Sequence, residues 1–501
     1  MAENLRNTDD LVFSSAEGYD AVSRAARRGE LRSLGPGVYT PRTDEDPKRV
    51  VQRNLHVIVG RLVPDAVVAD RSAYAGGMAQ HGQLFIEHPR RSRDLVLAGV
   101  TVRPRRGPGH HRGDIPLAPG LWMSATPRAL LENMRPSRAR RGMRRTLSTE
   151  EVELWLDRIV RTQGEDRLRA YRTEAQRIAP ELELERELQR LDPLIGATLG
   201  TRQISARTPV LRGRQVGSPF DPDRMVLLDD LVQHLDGLAP EDRPYDLADA
   251  RARFLPFFEA YFSNFIEGTE FTIEEAARIA LHNDIPPGRP EDAHDITGTY
   301  EIVSDPAEMR RTPGSGDELV ELLRERHATL MAGRPTTRPG EFKERESRAG
   351  ATTFVAPTMV EGTLTEGFAR AVGLEDPFAR AVFLMFLVSE VHPFDDGNGR
   401  IARVTMNAEL TAARQARIVI PTGYRDNYLD ALRALSRNEN PRPIARVLDF
   451  AQRYVAEMDW SSVEAATGLL TRTNALRDPA EGDQMGQRLV LPTRAERDDA
   501  G

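Results

Sequence analysis

Residues 376–403 read DPFARAVFLMFLVSEVHPFDDGNGRIAR, and the fold follows from how this stretch divides. Asp376 is a capping side chain ahead of Pro377 at the first helical position, where a missing N–H is harmless, and Phe378 to Val391 continues without a breaker. Ala381 to Val388 is the longest wholly apolar run of the chain. A helix apolar on every face is surrounded by protein, which predicts an all-α core with this helix at its centre. The run is far short of the ~18 residues that span a bilayer. After His392 and Pro393, a Gly-Asn-Gly turn leads into a second helix, expected over roughly Arg400 to Ala416 with Val404, Leu410 and Ala413 inward.

The turn carries the chemistry. A turn of this kind at a helix N-terminus aims successive backbone N–H groups at one spot, where the helix dipole also favours an anion. Gly397, Asn398 and Gly399 therefore predict a phosphate cradle. Arg400 and Arg403, one helical turn apart, can add charge-assisted bonds to a polyphosphate. Asp396 offers a hard oxygen ligand for Mg²⁺, with Mn²⁺ the alternative. His392, at the end of the buried helix, can take a proton from an incoming hydroxyl. Singly, a histidine before proline or a D-G-N-G turn is an ordinary structural feature. Their order within twelve residues is what specifies a site.

Composition removes the competing classes. The 501 residues include 69 basic and 76 acidic side chains, a net of −7, with no cysteine and only Lys48 and Lys343 as lysines. Neither lysine sits in a P-loop or a kinase V-A-I-K setting, and both are poor Schiff-base candidates. Cysteine nucleophiles, Cys-zinc sites, iron–sulfur clusters and disulfides are excluded. Any phosphate must be held by arginine or by backbone amides. With no leader-like or membrane-spanning segment, the expectation is a soluble cytoplasmic protein.

Residues 392–403 match H-x-F-x-[DE]-G-N-G-R-x-x-R at every defined position, and so resemble the signature of Fic-domain proteins, a likeness that runs from about Leu255 to Ser461. The resemblance implies transfer of AMP from ATP to a Tyr, Ser or Thr hydroxyl of a target protein. It makes His392 the general base, Phe394 a core anchor and Asp396 the Mg²⁺ ligand. Gly397, Asn398 and Gly399 then form the anion hole, Arg400 meets the inner phosphates and Arg403 the γ-phosphate. Gly350 to Pro357 is β-prone and bounded by Gly and Pro. With Thr352, Thr353, Phe354 and Val355 it resembles the family's target-docking flap, which follows a G-x-F-[RK] stretch like Gly340 to Lys343. Asn407, Tyr424 and Tyr428 resemble the family's adenine-side residues.

Upstream, LPFFEAYFSNFIEG (255–268) reads as a helix with Phe258, Phe262, Phe265 and Ile266 on one stripe. Glu267 in its last turn is unfavourable for the helix dipole. Ser263, Glu267 and Gly268 resemble the [ST]-x-x-x-E-[GN] inhibitory motif of the Fic class that carries its inhibitor N-terminally. A carboxylate paired with Arg403 would occupy the γ-phosphate position, so an autoinhibited resting state is expected. In some relatives the same glutamate supports AMP removal, which leaves a reverse activity open.

Residues 1–148 carry 25 basic and 15 acidic side chains, a net of +10, and the remainder 44 and 61, a net of −17. Arginines cluster at Arg90 to Arg93, Arg103 to Arg106 and Arg135 to Arg145. Tyr19 to Arg28 can form a helix ending at Gly29, and Leu31 to Tyr39 alternates around a tight turn, the outline of a winged helix-turn-helix. Gly29-Glu30-Leu31, Leu34 and Gly37-Val38-Tyr39 resemble the head of AbiEi-type antitoxin and regulator proteins, a likeness continuing to about Met134. It implies DNA binding, with Arg24, Arg27, Arg28 and Arg32 as candidate contacts and a toxin–antitoxin setting.

The expected fold is therefore multidomain and mainly α. A winged-helix head (1–60) and its α+β continuation (61–147) precede a helical linker (148–245), in which Thr201 to Ser218 is an irregular connector. An all-α Fic core with a β-hairpin flap (246–472, inhibitory helix 247–268) and a disordered tail (473–501) follow. Expected partners are ATP, a target protein and DNA, no membrane, with a homodimer allowed. The competing reading is a DNA-binding regulator that uses its Fic domain as a nucleotide sensor; the presence of both His392 and Asp396 favours the enzyme.

Overall fold

The computed structural model describes residues 6–8, 10–14, 19–139, 142–478 and 488–493. Arg140 and Arg141 of the arginine cluster, and 479–487 and 494–501 of the expected tail, lie outside the described residues. The chain divides into two units, Met1–Gly217 and Ser218–Gly501.

Unit 1 begins with β1 (Arg6–Thr8), β2 (Leu11–Phe13), α1 (Tyr19–Arg27), β3 (Arg32–Gly35), β4 (Val38–Thr40) and α2 (Pro47–Leu62). Then come β5 (Ala66–Val68), α3 (Asp70–Tyr74), β6 (Gln83–His88), β7 (Leu95–Leu97), β8 (Val100–Arg106), β9 (Ile115–Ala118), β10 (Leu121–Met123) and α4 (Thr126–Asn133). Helices α5 (Thr149–Gln163), α6 (Glu165–Ile178), α7 (Glu185–Thr198) and α8 (Pro209–Gln215) complete it. The first four strands form a sheet of order β1-β2-β4-β3, and the rest one of order β7-β8-β6-β5-β10-β9.

The helix and hairpin expected over 19–40 are present as α1, β3 and β4, turning at Gly37 with φ 77. Among the described residues, however, the segment ahead of α1 is the β1–β2 hairpin, so the first helix of a helix-turn-helix is not formed within them. Residues 1–60 and 61–147 are not separate bodies. Leu11, Phe13, Leu34 and Val38 share one core with Val50 and Ile58 of α2 and with Leu84, Ile86 and Val102 of the larger sheet. The expected linker is likewise divided. The capping box of Ser148 and Glu151 starts α5 as the spacing requires. Val152, Leu156 and Ile159 on its apolar face are then covered by Leu130 and Leu131 of α4, which draws α5 to α8 into unit 1. The expected connector over 201–218 contains α8, capped by Thr208.

Unit 2 is almost entirely helical: α9 (Pro222–Asp236), α10 (Leu255–Ile266), α11 (Ile273–His282), α12 (Pro290–Ser304) and α13 (Gly316–Leu330). A short hairpin of β11 (Arg348–Ala349) and β12 (Thr352–Thr353) separates these from α14 (Val360–Ala371), α15 (Pro377–Val391), α16 (Asn398–Ala412), α17 (Arg425–Asn438), α18 (Arg442–Glu457) and α19 (Val463–Arg472). The Asp376 carboxylate accepts the Ala379 N–H at 2.8 Å and so starts α15 as expected. Phe383, Leu384, Phe386 and Leu387 are fully buried, so α15 is the centre of the unit. The second helix begins at Asn398, earlier than expected, because Gly397 takes the cap in the left-handed region, φ 73; a Cβ there would strike Met331 Sδ. Part of the expected disordered tail packs instead: Ala475 and Leu489 join the aromatic core of Phe258, Tyr454 and Trp460. Among the described residues no helix is long and apolar enough to cross a membrane.

Beneath the large sheet of unit 1 lies a buried ionic cluster. Arg128 reaches Glu132 at 2.8 Å, Glu87 at 2.7 Å and Asp114 at 2.5 Å, while Arg105 and Arg145 pair with Asp70, each at 3.1 Å. Removing one partner of such a cluster strands charges that water cannot reach. Arg128→Met is expected to destabilise unit 1 by about 3–5 kcal/mol, read as a lowered denaturant midpoint for that unit's transition.

Candidate active site

His392 caps the C-terminus of α15 in the left-handed region, φ 52 and ψ 62, and its N–H donates to the Val388 carbonyl at 3.0 Å. This place is usually glycine's, and a histidine takes it at a cost of roughly 1 kcal/mol. The imidazole is stacked on Phe354 of the hairpin, centroids 3.8 Å apart and rings 4° from parallel. Burial, with the charge of Lys343 adding to it, lowers its pKa to about 4. At neutral pH the imidazole is therefore uncharged and able to accept a proton.

The loop from His392 to α16 is pinned from both sides. Asn398 Oδ1 accepts the Phe394 N–H at 2.8 Å and Nδ2 donates to the Phe394 carbonyl at 2.9 Å. The Asn398 amide is thus spent on the loop, leaving its backbone, not its side chain, to face an anion. Phe394 stacks on His327 of α13, centroids 3.7 Å apart. His327 Nδ1 accepts the Gly340 N–H at 2.9 Å, so its Nε2 carries the proton and donates to the Asp396 carbonyl at 3.0 Å. Burial lowers the His327 pKa to about 4. Asp396, 51% exposed, accepts the Gly397 N–H at 2.7 Å and keeps its second oxygen at the rim.

The two arginines of the motif have different fates. Arg403 Nη2 lies 2.7 Å from Glu267 Oε1 and 2.9 Å from the Ser263 carbonyl, and its Nε donates to Ser263 Oγ at 3.1 Å. The Glu267 carboxylate sits so close over the first turn of α16 that a Cβ at Gly399 would run into it. Gly268 follows at φ 93 and releases the chain from α10. Ser263, Glu267, Gly399 and Arg403 are thereby brought together. Arg400 is not at the surface of the anion site. Its Nη1 is 2.8 Å from Asp295 Oδ1 of α12 and 3.3 Å from Asn264 Oδ1, and its Nη2 lies 3.2 Å from Met331 Sδ. Its Nη2 is 3.8 Å from Asp396 Oδ2, beyond hydrogen-bond length.

A cavity of about 400 Å³ opens beside these groups, lined by His392, Gly399, Arg403, Glu267, Phe354, Phe386 and Tyr428. Tyr428 is the expected adenine-side residue that faces it. Asn407 does not: buried on α16, its Nδ2 donates to Glu259 and to the Ile418 carbonyl, each at 2.9 Å, and it serves the core. Tyr424 packs on Phe450, away from the cavity. Thr352 and Thr353 form β12, held by Arg437 Nε on Thr352 Oγ1 at 2.9 Å and by Arg224 Nη2 on the Thr353 carbonyl at 2.5 Å. Val355 turns into the core and is no part of the open edge. Asp295, His327 and Lys343 were not singled out in the sequence as site residues. His327 continues the apolar stripe of Leu319 and Leu323 on α13, which marks it as interior, whereas Asp295 has no local signal.

In unit 1, Arg24 and Arg27 of α1 are exposed and make no ion pair among the described residues. Arg28 is neutralised by Glu30 at 2.7 Å, and Arg32 is spent on the Thr43 and Glu45 carbonyls, both at 3.3 Å.

A family model described as Fic/DOC matches residues 318–410. A Fido domain-containing protein of Dictyostelium discoideum is 30% identical over 103 residues, covering 20% of this chain and 72% of that protein. Protein adenylyltransferases fic-1 of Caenorhabditis briggsae and Fic of Drosophila erecta are each 26% identical, over 161 and 204 residues. The alignments cover 30% and 38% of this chain, and the chain spans 31% and 40% of the length of those two relatives. Among solved structures, a Fic domain containing signaling protein from Bacteroides thetaiotaomicron is 21% identical with a TM-score of 0.35, covering 49% of this chain and 97% of that one.

The histidine beneath the loop sets an acid limit on stability. An ordinary histidine titrates near 6.5 and His327 only near 4. Its contribution is therefore complete above about pH 6.5 and is lost as pH falls toward 4, up to about 3 kcal/mol. His327→Gln keeps an acceptor for Gly340 and a donor for Asp396 without titrating. It is expected to lower stability at pH 7 but to flatten the loss between pH 7 and pH 4.5, measured by denaturant unfolding at both.

Proposed function

The chain belongs to the Fic/DOC family, and from that premise we propose that it is a protein adenylyltransferase, moving AMP from ATP to a Tyr, Ser or Thr hydroxyl of a target protein. The observation that carries this reading is the convergence on one cavity of an uncharged His392, the first turn of α16 and the Arg403 guanidinium. The acceptor oxygen attacks the α-phosphorus and His392 takes its proton; the bond to the bridging oxygen breaks and pyrophosphate leaves. The α16 amides and Arg403 hold the charge that develops on the phosphates. Asp396 would hold Mg²⁺ or Mn²⁺, which when bound neutralises phosphate charge. Among the described residues no cluster of three or more candidate ligands exists. A lone half-exposed carboxylate suits an ion that takes its other ligands from phosphate and water. The edge of β12 offers backbone groups to an extended target segment.

Glu267 holds this site shut in the resting protein. Its carboxylate occupies the anion position on Arg403 and the first turn of α16, so ATP must displace it or bind misaligned. The same carboxylate is placed to support hydrolytic removal of AMP. With labelled ATP, Glu267→Gly is expected to raise self-modification roughly tenfold or more, since the charge-assisted bond it removes is worth about 1.5–3 kcal/mol, and adding His392→Ala is expected to abolish the label. Equal labelling of wild type and Glu267→Gly would remove the autoinhibition; label that survives His392→Ala would remove the assignment of the base.

A second reading concerns unit 1, where Arg24 and Arg27, exposed and without an ion pair among the described residues, lie one turn apart on α1 ahead of the β3–β4 hairpin. We propose that this face meets the phosphates of duplex DNA. Arg24→Glu with Arg27→Glu is expected to weaken duplex retention across sequences and to reduce the slope of log affinity against log salt by about 2, while leaving labelling by the Glu267→Gly protein unchanged.

A further inference from the structure

In a chain that uses arginine for nearly all of its cations, Lys48 is exposed and Lys343 is only 2% exposed. Lys343 Nζ donates to Ser347 Oγ at 2.9 Å and to the carbonyl of Val391, the last residue of α15, at 3.3 Å. Its own N–H donates to the Pro393 carbonyl at 2.8 Å. The ammonium lies 5.8 Å from the centroid of Phe354, the ring stacked on His392, and the Phe354 N–H donates to the Ser347 carbonyl at 3.1 Å. One residue thus ties together the residue before His392, the residue after it and the ring that covers it. A compact ammonium with three donors can cap a helix end and face a ring in this space. The negative end of the α15 dipole favours a cation there.

We propose that Lys343 is a positioning residue for His392: its ammonium, fixed between the end of α15 and the hairpin, keeps the imidazole in its proton-accepting form and holds Phe354 against it. This rests on the reading of His392 as the general base. The charged groups acting on His392 are Lys343 from the segment before the hairpin, Glu267 from the end of α10 and Asp396 from its own loop. The same cavity is lined by Arg403 of α16, by Glu390 of α15, paired with Arg224, and by Arg433 and Arg437 of α17, the first paired with Asp430 and the second held on Thr352. Glu267 and Asp396 favour a protonated imidazole, and Arg403 is committed to Glu267. Lys343 is the cation that opposes them. Burial lowers the Lys343 pKa to about 8, so its charge is in place at and below neutral pH.

The test is an NMR titration of His392 in the full chain as wild type, Lys343→Gln and Lys343→Arg. Glutamine keeps a donor for Ser347 and Val391 without the charge, and arginine keeps the charge. The His392 midpoint is expected to rise by roughly half a pH unit or more in Lys343→Gln and to stay close to wild type in Lys343→Arg. In the Glu267→Gly background, the acid limb of kcat/KM for nucleotide transfer should move upward with it. Should the glutamine variant not fold, Lys343→Met is read the same way. An unmoved His392 midpoint in the neutral variant would overturn the assignment. A midpoint that moves as expected in a protein that transfers no nucleotide would sustain the electrostatic role and remove the proposed function, so the two failures are distinct.

Discussion

The reciprocal pair of bonds between the Asn398 amide and the Phe394 backbone, at 2.8 and 2.9 Å, is the contact on which the site depends. It closes a five-residue loop onto the start of α16, and no isosteric side chain can both donate and accept in that way. An aspartate would lose the donor and a leucine both, leaving buried backbone groups unpaired at about 1–3 kcal/mol each. With the loop closed, Phe394 is delivered onto His327, and His327 in turn holds the Asp396 carbonyl. His392 at one end of the loop and the first-turn amides of α16 at the other are therefore set by rigid elements. The buried α15 supplies the frame, since a helix packed on every face cannot shift to accommodate a misplaced loop.

What was legible in the sequence is what local rules specify. Asp376 and Pro377 start α15, the apolar run declares its burial, and the Gly-Asn-Gly turn announces a helix N-terminus; each depends on residues within a few positions of one another. Asp295 was not, because its role is set by Arg400 of α16 and by Arg334 of the segment after α13, both distant in sequence. Asn407 shows the converse error. One turn beyond Arg403, it matches a ligand-side position by spacing alone, but the rotation of α16 points its amide at Glu259 and the Ile418 carbonyl. The border at residues 147/148 is crossed for a related reason: charge composition changes there, but the apolar face of α5 does not recognise that border and packs on α4.

The charge of unit 1 also reads differently once its interior is known. Asp70, Glu87, Asp114 and Glu132 are buried, and so are Arg103 and Arg128, with Arg105 and Arg145 reaching in to pair. The ion pairs join these four carboxylates to three guanidiniums, Arg105, Arg128 and Arg145. That pairing takes up four of the 15 acidic and three of the 25 basic side chains of residues 1–148, so it does not account for their net of +10.

Arg400 and Arg403 come from the same motif and each is paired with a carboxylate, so burial has to distinguish them. The Asp295 side chain is 2% exposed and also accepts from Arg334 at 2.8 Å, so an incoming phosphate would have to strand a buried charge to release Arg400. Such a release is costly, and Arg400 is accordingly a fixed strut whose Nη2 faces Asp396. The Glu267 side chain is 32% exposed, sits in the last turn of α10 against the helix dipole, and can trade its bond to Arg403 for water. Of the two pairs, only the second is balanced closely enough for a polyphosphate to compete with it. On the proposed function, Asp295 and Arg400 make the fixed floor of the anion site and Glu267 is the occupant that a polyphosphate displaces.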